Sequence, residues 1–172
     1  MIPKIIHYCW FGRGPMPDLA QKCIASWHTF LPEYEYKLWN EDTFDVNSVD
    51  YVREAYEARK FAFVTDYVRL WALYNFGGVY MDTDVEILKP LDKFLDLPAF
   101  TGYEASNSMS PVTGLMASAA HGVWVKEQLM YYTGKHFKNT DGSMDLTSNT
   151  VTISRIMCEN GFQITGKYGV YK

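Results

Sequence analysis

The run GGVYMDTDVE, residues 77–86, sets two carboxylates, Asp82 and Asp84, either side of one threonine, with Glu86 two residues further on. Hard divalent cations such as Mg²⁺ and Mn²⁺ prefer carboxylate oxygens. They often take only one or two from the protein and fill the shell with water and substrate phosphates. In an extended chain, residues two apart share a face. The pair therefore reads either as a solvated strand end or as the seat of a cation that carries a diphosphate. Spacing alone does not choose between these. Placement after a helix, a double glycine and a short apolar run brings the carboxylates to the rim of a sheet.

A second pair lies just upstream in TDYVR, where Asp66 and Arg69 are three apart and share a helix face. They read as a surface ion pair of small energetic value, or as a face turned to a ligand, with the arginine on a phosphate or sugar oxygen and the aspartate on a hydroxyl. The third feature is His7-Tyr8-Cys9-Trp10-Phe11-Gly12. Trp10 precedes a glycine-rich turn, where it could stack on a base or fill the core. His7, in an apolar strand, reads as a satisfied core histidine. Other chemistries lack their motifs: there is no G-x-G-x-x-G, P-loop, G-x-S-x-G or H-E-x-x-H.

These residues need elements to hold them. Lys4 to Phe11 reads as a buried strand ended by Gly12-Arg13-Gly14-Pro15. Asp18 reads as the N-cap of a helix to Phe30, closed by Pro32. Tyr34–Trp39 alternates as a strand, Asn40-Glu41-Asp42 turns, and Ser48–Arg59 suits a helix. Lys60–Asn75 is a helix with apolar residues at Phe63, Tyr67, Leu70 and Tyr74, stopped by Gly77-Gly78. Val79–Leu88 is the strand expected to carry the carboxylates. A short helix over Pro90–Leu95, strands over Ala99–Glu104 and Thr113–Ser118, helices over His121–Tyr132 and Thr150–Glu159, and a last strand over Gln163–Tyr171 complete the expectation. The fold class is α/β: one domain with an open, mixed sheet flanked by helices, whose ligand crevice lies at the carboxyl ends of strands.

The chain has 172 residues, 48% of them hydrophobic, with a formal net charge of −4. No Lys/Arg run offers a footprint for nucleic acid. The three cysteines, Cys9, Cys23 and Cys158, are odd in number and form no CxxC, which argues against a disulfide framework or a zinc cluster and fits a reducing compartment. The N-terminus has no signal-peptide pattern, and no apolar stretch approaches a membrane span.

Taken in order, IPKIIHYCWFG, W-N-E after a strand, and TDYVRLWALYNFGGVYMDTDVE resemble the DXD-containing sugar transferases of glycosyltransferase family 32. These include bacterial capsular-polysaccharide transferases and yeast initiation-of-outer-chain mannosyltransferases; the cores of the large clostridial glucosylating toxins share the signature more distantly. The resemblance is dense over residues 1–104 and thins afterwards. It implies a GT-A fold, a Rossmann-like nucleotide-binding sheet, and transfer of a hexose with retention from a UDP- or GDP-linked donor to a saccharide or lipid-linked oligosaccharide. It places Asp84 on the metal, Mn²⁺ or Mg²⁺, and Asp82 on the ribose and donor sugar, approaching the metal through water. Asp66 and Arg69 match the pair that grips donor sugar and phosphate, Trp10 flanks the base and Tyr80 contacts the donor. The segment Thr147-Ser148-Asn149-Thr150 lacks the Gly-Pro often found there in the family; Asn149 is expected to face the donor without a motif match. On this reading Asp82, Asp84 and Arg69 carry the catalysis. Bacterial capsule or surface polysaccharide synthesis is the expected setting, in the cytoplasm with peripheral contact at the inner membrane face. Members of the family continue past the equivalent of Lys172, in a tail that carries a histidine near the diphosphate, so the chain is expected to lack that segment. An inactive nucleotide-sugar-binding or scaffold domain is the alternative.

Overall fold

A computed structural model describes residues 1–104 and 110–171. Five strands form one sheet: β1 (Ile5–Cys9), β2 (Glu35–Trp39), β3 (Gly78–Met81), β4 (Ala99–Tyr103) and β5 (Pro111–Ser118). Their order is β2-β1-β3-β5-β4. β1 pairs in parallel with both β2 and β3, while β5 runs antiparallel to β3 and β4. The mixed open sheet expected from sequence is therefore present. Its connection leaves β1 toward β2 and then returns to the other side for β3. That reversal opens a crevice between the carboxyl ends of β1 and β3. Trp10 follows β1 and Asp82 follows β3.

Helices cover both faces. α1 (Asp18–Phe30) and the segment after β3 pack on one side, through Trp27, Leu31, Ile87 and Leu91. α2 (Asp50–Glu57), α3 (Phe61–Phe76), α4 (Val123–Met130) and α5 (Asn149–Glu159) cover the other. All four β3 residues are buried, as a strand sandwiched on both faces requires. α3 is enclosed on more than one stripe. Val64, Val68, Leu70, Ala72 and Leu73 are fully buried, whereas Phe63, Tyr67 and Tyr74 are only partly so. Of the four residues whose period marks the helix, Leu70 lies on its deepest side and the three aromatic ones do not.

Three expectations need correction. The strand over Val79–Leu88 ends at Met81. The Asp82 amide makes the last ladder bond, to the Gly114 carbonyl at 2.8 Å, and the Val85 amide then closes a turn onto the Asp82 carbonyl at 3.0 Å. Asp and Thr favour such turns because their side chains compete for the local backbone. The carboxylates therefore sit on a turn, not on alternating strand positions. Gln163–Tyr171 has no strand; it runs irregularly. Asp18 lies in the first turn of α1, and Pro17 occupies the cap.

His7 is a core residue, as expected. The Trp39 indole donates to its Nδ1 at 3.1 Å, and its Nε2 lies 2.7 Å from the Gly77 carbonyl. An indole N–H can only donate, so Nδ1 carries the lone pair and Nε2 the proton. Burial holds the ring neutral, with a pKa lowered to about 4. This bond ties β1 to the glycine pair that ends α3. Gly77 and Gly78 take φ of 65° and 111°, a region open to glycine. A Cβ on Gly78 would meet the Ile5 carbonyl oxygen at 2.6 Å. Gly78→Ala should therefore cost about 2 kcal/mol or more, read as a lower urea midpoint at unchanged m-value.

Candidate functional site

The side chains that converge at the crevice come from three elements. α3 supplies Asp66 and Arg69, β3 supplies Tyr80, and the turn after β3 supplies Asp82. Arg69 is 4% exposed. Its Nη2 lies 3.2 Å from Asp66 Oδ1 and 3.3 Å from Asp82 Oδ1. Nη1 donates to the Thr113 carbonyl at 2.7 Å, Nε to the Thr65 carbonyl at 3.4 Å. The guanidinium stacks 4.6 Å from the Tyr80 ring centroid, and the Tyr80 hydroxyl donates to Asp82 Oδ1 at 2.6 Å. The i,i+3 pair is thus neither a surface bridge nor an open ligand face. It is a buried brace, and Asp82 is what it braces.

Burial sets the electrostatics. It works against charge on Arg69, but Tyr80, Asp82 and Asp66 outweigh it and hold the guanidinium above its ordinary pKa. Asp66 is 8% exposed. Desolvation pushes its pKa up to about 6, against the pull of Arg69 and the Asn149 amide. Tyr80 is pushed well above its ordinary value by burial, so its hydroxyl remains a donor.

Asn149, the first residue of α5, is buried and turned to Asp66. Its backbone amide donates to Asp66 Oδ2 at 3.0 Å and its Nδ2 to the Asp66 carbonyl at 2.9 Å, while its Oδ1 has no partner among the described residues. Trp10 stands apart from this cluster, half-buried at the end of β1. Its indole donates to the Gly14 carbonyl at 2.7 Å and its amide to the Trp39 carbonyl at 2.9 Å. Asp84 is exposed, and no hydrogen bond or ion pair holds it among the described residues.

Sequence reasoning missed three supports. Thr113 gives its carbonyl to Arg69, and its hydroxyl lies 3.0 Å from that of Thr150. Gly114 makes room for Asp82: a Cβ there would stand 3.0 Å from Asp82 Oδ2. Glu41 accepts the Gly12 amide at 2.6 Å. None of these has a local signature, since each acts across a long sequence separation. The turn itself is fixed from outside. The Trp27 indole donates to the Val85 carbonyl at 2.7 Å, and the Ile87 amide to Ser26 Oγ at 2.9 Å.

No group of three or more His, Cys, Asp or Glu converges among the described residues. Two carboxylates on one exposed turn nevertheless suit a cation of the Mg²⁺ type, which keeps most of its shell for water and phosphate. An apolar cavity of about 480 Å³ lies elsewhere, between β4 and residues 168–171, walled by Phe100, Tyr103, Trp124 and Phe162; neither Asp82 nor Asp84 lines it.

Residues 17–101 match the family model described as a glycosyltransferase sugar-binding region containing a DXD motif. The stretch around Trp10 lies outside that match. The chain is 32% identical over 116 residues to inositol phosphoceramide mannosyltransferase 3 of Schizosaccharomyces pombe, covering 63% of this chain and 32% of that one. It is 31% identical over 106 residues to glucan organizing enzyme 1 of Cryptococcus neoformans, covering 60% and 24%. The chain thus spans about a third or less of these curated relatives. Among solved structures, PaToxG glycosyltransferase superposes with a TM-score of 0.65 at 15% identity, over 92% of this chain and 69% of that one. The fold is that of a GT-A-like glycosyltransferase.

The brace has a pH signature. Asp66 has a native pKa of about 6 against an ordinary 3.8, so its contribution is greatest in acid and is lost as pH rises through about 6. His7, at about 4 against 6.5, does the opposite: its contribution is full above 6.5 and is lost as pH falls toward 4. Between these limits the two slopes oppose each other. Asp66→Asn removes one of them. Stability of that variant should rise more steeply with pH between about 4 and 6 than in the wild type, by up to one proton, about 1.4 kcal/mol per pH unit. Urea unfolding across that range checks it; parallel curves would contradict it.

Proposed function

We propose, from the premise that this chain belongs to the DXD-motif sugar transferases, that it binds a nucleotide-linked hexose at the β1/β3 crevice and passes the sugar to a saccharide or glycolipid hydroxyl. One observation carries the reading. The motif's first carboxylate is locked by a buried arginine at the sheet's switch point, and its second stands open to solvent.

Asp84 and Asp82 are the residues that would hold Mn²⁺ or Mg²⁺, which when bound neutralises the charge growing on the departing diphosphate. Asp82 arrives pre-oriented by Arg69 and Tyr80. Arg69 acts through Asp82, since its fork is occupied by Asp66, Asp82, Thr65 and Thr113. Asp66 and Asn149 lie behind the donor site and hold the Arg69 brace in place. Trp10 flanks the base from the neighbouring strand. The acceptor attacks from the face of the leaving group, so the anomeric configuration is retained. A glycosyl group trapped covalently on a side chain would overturn that course.

The relatives' names narrow the sugar and the acceptor. One names mannose and inositol phosphoceramide, which favours a mannosyl donor and an inositol-phosphate lipid over the capsular polysaccharide expected from sequence. Both named relatives are fungal, and nothing in them supports a bacterial setting. No helix among the described residues is long and apolar enough to cross a membrane.

The test is thermal unfolding with GDP or UDP, each with and without Mn²⁺, on the wild type and Asp84→Ala. A ligand at a hundred times its Kd adds about 2.7 kcal/mol, roughly 5–10 °C for a chain of this size. One nucleotide should produce a shift that requires Mn²⁺. Asp84→Ala should abolish it without lowering the midpoint of the free protein, because no described contact depends on Asp84. Release of mannose from its nucleotide donor then separates a transferase from an inactive nucleotide-binding domain, which would bind without turnover.

A further inference from the structure

The loop that carries Trp10 is held by a carboxylate outside the DXD cluster. Trp10 to Gly14 leaves the end of β1 through two consecutive left-handed residues, Gly12 at φ 95° and Arg13 at φ 55°. Such a turn is strained for arginine and needs ties. Glu41, on the loop after β2, supplies the main one. Its Oε1 accepts the Gly12 amide at 2.6 Å and the Tyr56 hydroxyl of α2 at 2.9 Å. Arg13 meets the neighbouring Asp42 at 2.8 Å, an exposed pair of small value. The third wall is Phe61, the first residue of α3. A Cβ on Gly12 would run into the Phe61 ring, and the Tyr56 and Phe61 rings lie 5.5 Å apart.

We propose that Glu41 is a positioning residue for the nucleoside half of the donor site. Its single oxygen joins the β1 loop to α2, and Gly12 seats that loop on the start of α3, the helix that bears Asp66 and Arg69. Trp10 is thereby set at a fixed distance from the Asp82 turn across the crevice. A charged acceptor suits this place. It makes stronger bonds than a neutral one, and the amide and phenol it receives hold the carboxyl below its ordinary range despite burial. This assignment rests on the donor site proposed above. It divides that site into two halves with different supports: the Arg69 brace for the diphosphate and the Glu41 latch for the base.

Two probes separate the halves: inorganic pyrophosphate with Mn²⁺, and the nucleoside diphosphate with Mn²⁺ that stabilises the wild type. Calorimetric Kd values are measured for the wild type, Glu41→Ala, Glu41→Gln and Tyr56→Phe. Glu41→Ala should weaken the nucleotide roughly tenfold, because the loop loses both charge-assisted hydrogen bonds that hold it. Its pyrophosphate Kd should stay within about twofold of the wild type, inside the scatter expected for an uncoupled site. Glu41→Gln keeps an acceptor oxygen and should restore most of the affinity. Tyr56→Phe removes one donor and should fall between, and it serves if Glu41→Ala does not fold. Equal weakening of both probes would reduce Glu41 to a general structural role and overturn the assignment. So would an unchanged nucleotide Kd in Glu41→Ala. A wild type that binds neither probe would overturn the donor site itself, and the latch with it. A wild type that binds pyrophosphate but no nucleotide would keep the metal half and remove the base half.

Discussion

Arg69 sits in the interior with two carboxylates, and the neighbourhood is arranged around the cost of keeping it there. A buried guanidinium with an unused donor would be strongly destabilising. Here the fork is shared among Asp66, Asp82 and the carbonyls of Thr65 and Thr113, with the Tyr80 ring beneath it. Each partner imposes a further condition. Thr113 must present its carbonyl from β5, just before the residues of that strand that pair with β3. Asp66 must have its second oxygen satisfied, which draws the Asn149 amide and so the start of α5. Gly114 leaves space beside Asp82: a Cβ there would stand 3.0 Å from Asp82 Oδ2, and the carboxylate would have to shift.

The sheet turns this local arrangement into a site. β3 is buried on both faces, so its end cannot move without disturbing both hydrophobic layers. The turn that follows is pinned at one side by the Gly114 carbonyl and at the other by Trp27 and Ser26 of α1. His7 performs the same task at the opposite end. Held neutral between Trp39 and Gly77, it fastens β1 to the helix–strand junction. The crevice between Trp10 and Asp82 thus lies between two strands whose separation is set at both ends.

Much of this was legible in the sequence, and the gaps have physical causes. The α3 period, the double glycine and the apolar run after it place helix, stop and strand because each is a local preference. The end of β3 is not legible locally, because strand-forming Val85, Ile87 and Leu88 follow the carboxylates; the turn wins only once α1 captures Val85 and Ile87, which no local pattern reveals. Asp66 and Arg69 were placed on one face correctly, but burial decides between surface bridge and brace, and burial is a tertiary property. Gln163–Tyr171 has the composition of a strand but no described strand beside it to pair with. Glu41 was visible only as a letter in W-N-E, since its partners lie 29 residues before it and 15 after.

The two aspartates of the motif are not equivalent, and their difference follows from the brace. Asp82 has spent its freedom in the fold: one oxygen is shared by Tyr80 and Arg69, and its side chain is only 35% exposed. Asp84 has spent none. A cation arriving at the turn would meet one ligand already oriented and one still free to adjust. Two fixed carboxylates facing each other would repel at close range. Arg69 avoids this by facing the fixed one, while solvent screens the exposed one. Such an arrangement keeps the free protein stable and leaves net negative charge at the crevice, because the single arginine faces both Asp66 and Asp82. The uncompensated charge is what a divalent cation would neutralise. The brace that stabilises the fold is therefore also what leaves negative charge at the end of β3.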